Sequence, residues 1–290
     1  MTPFIGAVPC GRVFLSKNNQ RGTNLTTLHT LASGSSGNAL VLSCDDTHLL
    51  VDAGISCRRI TQGLKELGLT PEDLSGLLIT HTHADHIAGV QTLLKRSSFP
   101  LYTSVRASRE LSYRLPQCED RLVDLELCVP VTIGSITVTP FPISHDAPGA
   151  CGFRLDTADG SVGVITDTGY VTDEAAELLP GVDLCVLEAN HDVEALRSGP
   201  YPYYLKQRIL GIQGHLSNED SAQFAVTLAQ SGTSDIILAH LSRENNTPAM
   251  AYNAVEQALT AAGLSPALTV APRDTLSEAH PVARRAVCRK

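Results

Sequence analysis

Residues 77–90 read LLITHTHADHIAGV, and the hexad from His81 to His86 packs three of the chain's ten histidines and one aspartate into six positions. The apolar run before the hexad reads as a strand. After it, Ile87, Val90, Leu93 and Leu94 share one helical face, which places His81, His83, Asp85 and His86 at a strand-to-helix junction. Junctions at strand C-termini are favoured places for functional sites. Imidazole and carboxylate groups are ligands for borderline and hard divalent cations, and a turn lets alternate residues converge on one point as a regular element would not.

Further donors follow at later strand ends. His145 in FPISHDAPG, Asp167 in VGVITDTGY and His240 in DIILAHLSREN each close an apolar run and precede a turn. Taken alone, each could equally cap its turn. Together with the hexad they make a nitrogen and oxygen donor set without a thiolate. Such a set suits two divalent metal ions, zinc or manganese with iron as a third candidate, bridged by a carboxylate and a water-derived hydroxide.

Composition bounds the rest. The chain has 290 residues, 43% hydrophobic and 18% charged, with mean hydropathy +0.03, which fits one α/β domain. No segment approaches the roughly 18 to 20 apolar residues of a membrane helix, and the N-terminal stretch lacks a signal peptide's apolar core. A cytoplasmic protein with no membrane partner is expected. The eight cysteines are scattered without a Cys-x-x-Cys pair, so free thiols are expected rather than a zinc ribbon or a disulfide framework. A net charge of -8 repels polyanions, so a nucleic-acid substrate would need a local basic patch or bound cations. Two divalent ions set against Asp85, Asp167 and a hydroxide leave about +1 (four minus three), enough to orient a phosphodiester locally.

Along the chain, strands are expected ending at Ala32, over Ala39–Ser43 and over Leu49–Asp52. A helix follows, capped by Ser56, with Ile60, Leu64 and Leu67 on one face and Gly68 as its stop. Another helix start is expected at Thr70-Pro71-Glu72-Asp73. The expected organisation is a flexible tail over 1–24, a hydrolase domain over 25–274, and a flexible basic tail over 275–290.

The His-x-His-x-Asp-His signature with its downstream His, Asp and His resembles the metallo-β-lactamase fold superfamily. More narrowly, LASGSSGN, LLVDAG, HTHADHIAGV, PISHDA, ITDTGYV, LEANHDVEAL, RILGIQGHLSNEDSA and HLSRENNTP resemble the WalJ/YycJ family of small metal-dependent hydrolases, associated with 5′-to-3′ exonuclease activity on DNA. That resemblance implies a four-layer αβ/βα sandwich. His81, His83 and His145 would hold one metal, Asp85, His86 and His240 the other, and Asp167 would bridge them. Asp52 would support the ligands by hydrogen bonds. The aspartate at 167 departs from the thiolate common in antibiotic-hydrolysing relatives, and the span from Asp167 to His240 is too short for the second domain inserted in ribonuclease J.

The reaction implied is hydrolysis of a phosphodiester, with DNA favoured over RNA, by the metal-bridging hydroxide; Asp85 would assist proton transfer and Asp167 would hold both ions. The bare metal motif also fits a small-molecule phosphodiester, ester, thioester or lactone hydrolase. Ser217 and Asp220 read as a capping box, which places His215 just before a helix N-terminus where phosphate is welcomed. In ALRSGPYPYYLKQRI, Tyr201, Tyr203 and Tyr204 interleave with Arg197, Lys206 and Arg208, a pattern suited to stacking bases and meeting phosphates, or to an amphipathic loop packed on the domain. Asn190 and His191 end a strand beside this segment and are expected to line the cleft. The SGSSGN turn could approach a phosphate or serve only as a hairpin. Nothing in the sequence sets an oligomeric state.

Overall fold

A computed structural model describes residues 25–284. The expected tail over 1–24, and the end of the other over 285–290, lie outside the described residues.

The first sheet contains β1 (Thr27–Ala32), β2 (Ala39–Cys44), β3 (Thr47–Val51), β4 (Gly76–Leu78), β5 (Leu101–Ser104) and β6 (Leu122–Leu125). The second contains β7 (Val131–Ile133), β8 (Ile136–Pro142), β9 (Cys151–Asp156), β10 (Ser161–Ile165), β11 (Leu184–Glu188), β12 (Asp235–Ala239) and β13 (Ala267–Val270). Each sheet is antiparallel in one half and parallel in the other. The parallel halves are β3 to β6 and β10 to β13.

Strand alternation builds the layers. In β3, Leu49 and Val51 enter the core between the sheets, where they join Leu42, Phe153, Val164 and Val186. Leu50 faces the other way, with Ile60, Leu64, Leu77 and Leu93. On that outer face lie α1 (Cys57–Glu66), α2 (Ala84–Ile87), α3 (Val90–Leu93) and α4 (Val105–Arg114). The chain then forms α5 (Asp173–Leu178), α6 (Val193–Ser198), α7 (Tyr203–Ile209), α8 (Asn218–Gln230) and α9 (Pro248–Ala261). Helices α5, α8 and α9 cover the second sheet through Ala175, Phe224, Leu228, Val255 and Leu259. Helix, sheet, sheet and helix make the expected four-layer αβ/βα sandwich. No helix among the described residues is long and apolar enough to cross a membrane.

Local signals behave as chemistry requires. Ser56 caps α1, and Gly68 follows its end at φ +76°. Thr70–Asp73 gives only a 3₁₀ turn, closed by Thr70 and Asp73 bonding each other. The apolar face after the hexad is divided between α2 and α3.

The expected C-terminal boundary at 274 is too early. Ser277 N donates to Thr30 O (2.9 Å), and Val282 is fully buried. The short strand β14 (His280–Pro281) pairs antiparallel with β1 and completes the first sheet. A two-residue strand carries no readable periodicity, and its contacts are remote in sequence: 247 positions separate Thr30 from Ser277.

Candidate metal centre

Strands β4, β8, β10, β11 and β12 all end at one edge of the sandwich, and the polar residues that follow them converge there. The turn after β3 closes against the hexad. A Cβ on Gly54 would come within 1.6 Å of Asp85 O, so this approach requires glycine. Asp52, Asp167 and His240 hold φ values of +58°, +59° and +56°, a left-handed conformation that costs non-glycine residues about 1 kcal/mol or more each. The fold supports that cost at the positions where side chains must turn inward.

Asp52 organises the hexad. Its carboxylate accepts from Thr80 N (2.9 Å), from Thr80 Oγ1 (2.9 Å) and from His86 Nδ1 (2.7 Å). With its proton given to Asp52, Thr80 Oγ1 accepts from His81 Nδ1 at 3.0 Å. Both histidines therefore carry hydrogen on Nδ1, which leaves Nε2 as the atom that a cation would take. His81 Nε2 is buried without a hydrogen-bond partner. His145 Nδ1 donates to Gly214 O (3.3 Å), which leaves its Nε2 facing His83 Nδ1 at 3.1 Å. Burial holds His81, His83 and His145 below their ordinary pKa and so neutral, the form that binds metal. Three neutral imidazoles converging their nitrogens on one point form a set that a cation would satisfy.

The second set is Asp85, His86, Asp167 and His240. His86 Nε2 lies 3.6 Å from Asp85 Oδ2 and 3.3 Å from Asp167 Oδ2. His240 Nε2 lies 3.5 Å from Asp85 Oδ2 and 3.4 Å from Asp167 Oδ1. Around a tetrahedral ion with bonds of about 2.0–2.2 Å, neighbouring ligand atoms stand roughly 3.3–3.6 Å apart, so this spacing fits one ion. Asp167 also reaches toward the first set, with Oδ1 3.9 Å from His145 Nε2. Burial alone would lower the pKa of His86 and His240. The carboxylates of Asp167 and Asp52 overcome it for His86, raising it well above the ordinary value, and Asp167, Asp85 and Glu188 raise His240 to about 10. The pocket therefore favours positive charge, which divalent ions would supply.

Glu188, which the sequence reading passed over, is fully buried at the end of β11. Its Oε1 accepts from His215 Nδ1 (2.8 Å) and His240 Nδ1 (3.0 Å), and its Oε2 from Thr168 N (2.9 Å) and Leu216 N (3.2 Å). Asp167, Glu188, His215 and His240 also cluster within metal-binding range. However, the Nδ1 atoms of both histidines already bond Glu188 directly, so this cluster is hydrogen-bonded support rather than a third ion site. The signal available in the sequence was a carboxylate closing the apolar run LCVLE.

The expected substrate residues divide. His215 is 19% exposed on its side chain and, with Nδ1 committed to Glu188, keeps Nε2 without a protein partner among the described residues. Tyr203 and Tyr204 are 77% and 74% exposed on α7, a helix with no buried residue. Arg208 forms a two-pronged pair with Asp146 (2.5 and 3.1 Å), whose Oδ1 lies 3.6 Å from His83 Nε2. Three others are not brought to the surface. Ser217 is buried as the cap of α8, accepting from Asp220 N (3.1 Å) and donating to Asp220 Oδ2 (2.7 Å). Asn190 donates to His240 O (2.9 Å), and His191 is 1% exposed with neither ring nitrogen bonded. Their polar side chains follow a strand end, but α8 and the 240–246 turn close over them.

Residues 47–241 match the model of the Beta-lactamase superfamily domain. The chain belongs to the β-lactamase superfamily. Within it, the exodeoxyribonuclease WalJ of Streptococcus pneumoniae serotype 2 is 42% identical over 237 residues, covering 81% of this chain and 88% of that protein. The exodeoxyribonuclease YycJ of Bacillus anthracis is 37% identical over 234 residues, covering 80% and 89%. Among solved structures, Zn(2+)-bound PqqB from Methylobacterium extorquens matches with a TM-score of 0.66 at 16% identity, over 87% of this chain and 99% of that one, a likeness of fold. The superfamily hydrolase described here carries its His/Asp clusters at the sandwich edge and no cysteine among them.

Proposed function

We propose that this chain is a dinuclear-metal-dependent phosphodiesterase that removes nucleotides from DNA in the 5′-to-3′ direction. The observation that carries the reading is the pair of donor sets meeting at Asp167, one of neutral imidazoles and one rich in carboxylate. The likeness to WalJ and YycJ, named for exodeoxyribonuclease activity, supports DNA as the substrate.

Two divalent cations, zinc or manganese with iron as a third candidate, would supply water activation and neutralise charge developing at phosphorus. His81, His83 and His145 would hold one, Asp85, His86 and His240 the other, with Asp167 shared. The chain's own groups do the rest. Asp85, partly open to solvent, takes the proton of the attacking water. His215 Nε2 meets a phosphate oxygen or the leaving oxygen, and Glu188 holds the ring in the orientation that makes this contact. Tyr203 and Tyr204 offer faces on which bases stack, while the Arg208 pair with Asp146 fixes α7 beside the site. Free cysteines throughout the described residues suit a reducing, cytoplasmic setting.

The test is digestion of end-labelled single- and double-stranded DNA, bearing 5′-phosphate or 5′-hydroxyl, by zinc- or manganese-loaded protein. Stepwise release from the 5′ end is expected. Two bound metals with no cleavage of DNA, but hydrolysis of a small phosphodiester or ester, would replace this reading with a small-molecule hydrolase.

A further inference from the structure

Asn38 closes the turn between β1 and β2 and is only 8% exposed. Its backbone joins two parts of the site: Asn38 N donates to Asp85 O (2.8 Å), and Asn38 O accepts from Gly54 N (2.8 Å). The side chain is fixed as tightly. Gly34 N donates to Oδ1 at 2.9 Å, and since an N–H can be met there only by oxygen, the amide orientation is decided. Nδ2 therefore faces the metal centre. One of its hydrogens goes to Asp85 O (3.3 Å); the other meets His86 Nε2 at 3.1 Å.

That second contact cannot survive metal binding. His86 Nδ1 donates to Asp52, so Nε2 is the nitrogen that a cation would take, in place of any proton there. Asn38 would then hold a buried N–H without an acceptor, which is unfavourable unless another oxygen arrives. The separation of 3.1 Å from a ligand nitrogen places Nδ2 against the coordination shell, within reach of an oxygen that the chain itself does not supply. The geometry points to Asn38 as a substrate-binding residue whose Nδ2–H donates to a phosphoryl oxygen seated beside the Asp85, His86, Asp167 and His240 set. This rests on the dinuclear phosphodiesterase reading and adds a phosphate contact from the turn between β1 and β2 of the first sheet.

The experiment measures metal content and inorganic phosphate affinity on metal-loaded protein, together with kcat and KM on DNA. Asn38→Ala is expected to retain two metals per chain, weaken phosphate binding about 10-fold or more, and lower kcat/KM about 10- to 100-fold, as loss of one hydrogen bond to a charged group predicts. Asn38→Asp keeps the acceptor for Gly34 N while replacing the donor with an anion. It is the second variant should alanine fail to fold, and is expected to retain metal while losing phosphate binding more severely. Unchanged phosphate affinity with full metal content in either variant overturns the inference alone. Metal loss that accounts for the whole effect also overturns it, leaving Asn38 as a brace for the Asp85 turn. A wild-type protein that takes up no divalent metal overturns the phosphodiesterase reading and this contact with it.

Discussion

Glu188 Oε1 accepts from His215 Nδ1 at 2.8 Å, and the same oxygen receives His240 Nδ1 at 3.0 Å. One buried carboxylate thereby orients a histidine proposed to hold metal and the histidine proposed to meet substrate. Burial would raise its pKa, but His215 and His240 outweigh that and hold it at about 2, so Glu188 stays ionised. Its other oxygen receives two backbone N–H groups, so an amide at this position must oppose a donor with a donor on one side. Glu188→Gln is expected to weaken metal affinity about 10- to 100-fold and to lower kcat with it, measured by competitive metal titration beside DNA digestion.

Asp167 and His215 should separate in their effects. Asp167→Ala removes the carboxylate shared by both donor sets, and metal content is expected to fall below two per chain with activity at background. His215→Ala leaves every proposed ligand in place, so it should keep its metals and lose roughly 10²- to 10⁴-fold in kcat/KM. Elemental analysis alongside exonuclease rates checks both, and full activity in the Asp167 variant would sink the shared-ligand model.

Metal removal should loosen the sandwich, because the hexad follows a strand of the first sheet while His145, Asp167 and His240 follow strands of the second. Ions bound at a thousandfold over Kd stabilise by about 4 kcal/mol. Chelation is expected to lower the midpoint of thermal unfolding by roughly 8 °C or more, read by calorimetry before and after adding back zinc or manganese.

His191 supplies an acid-sensitive contribution. Burial lowers its pKa to about 4, against about 6.5 in the unfolded chain. The unfolded state therefore binds the extra proton between those values, and stability present above about 6.5 is lost as pH falls toward 4. The limit is on the order of 3 kcal/mol. Urea unfolding of wild type and His191→Leu from pH 8 to 4.5 should show wild type losing stability relative to the variant below pH 6.5; parallel curves would remove His191 from the acid response.

Tyr203→Ala and Tyr204→Ala should leave the unfolding midpoint unchanged, since both rings are exposed. Each is expected to weaken single-stranded DNA binding by about 1–3 kcal/mol. Fluorescence anisotropy with an inactive, metal-loaded protein gives the comparison, and unaltered binding in both would leave α7 without a role in substrate grip.

The parts legible in the sequence were those written locally. The hexad states its chemistry within six residues, and the alternation of Leu49, Leu50 and Val51 between two cores follows from strand geometry alone. His145, Asp167 and His240 were visible as strand-end polar residues, but only resemblance distinguished them from turn caps. Glu188 was missed, and the SGSSGN turn that ends at Asn38 was left open between a phosphate contact and a plain hairpin, because what decides them is remote in sequence: Glu188 reaches His240 across 52 positions, and Asn38 reaches His86 across 48. The same non-local packing withdrew Asn190 and His191 from the surface where their polarity had suggested they lie.

The pairing of β14 with β1 also sets a timetable for synthesis. Ser33, just after β1, takes the backbone N–H of His240 on its hydroxyl (2.9 Å) and gives its own to Arg273 O (3.3 Å). Strand β1 therefore waits for a partner made much later, since 247 positions separate Thr30 from Ser277. At about 5–20 residues per second, that leaves an unpaired strand edge exposed for roughly 10–60 s. The nascent chain is most vulnerable to mispairing before the site that defines its chemistry can assemble.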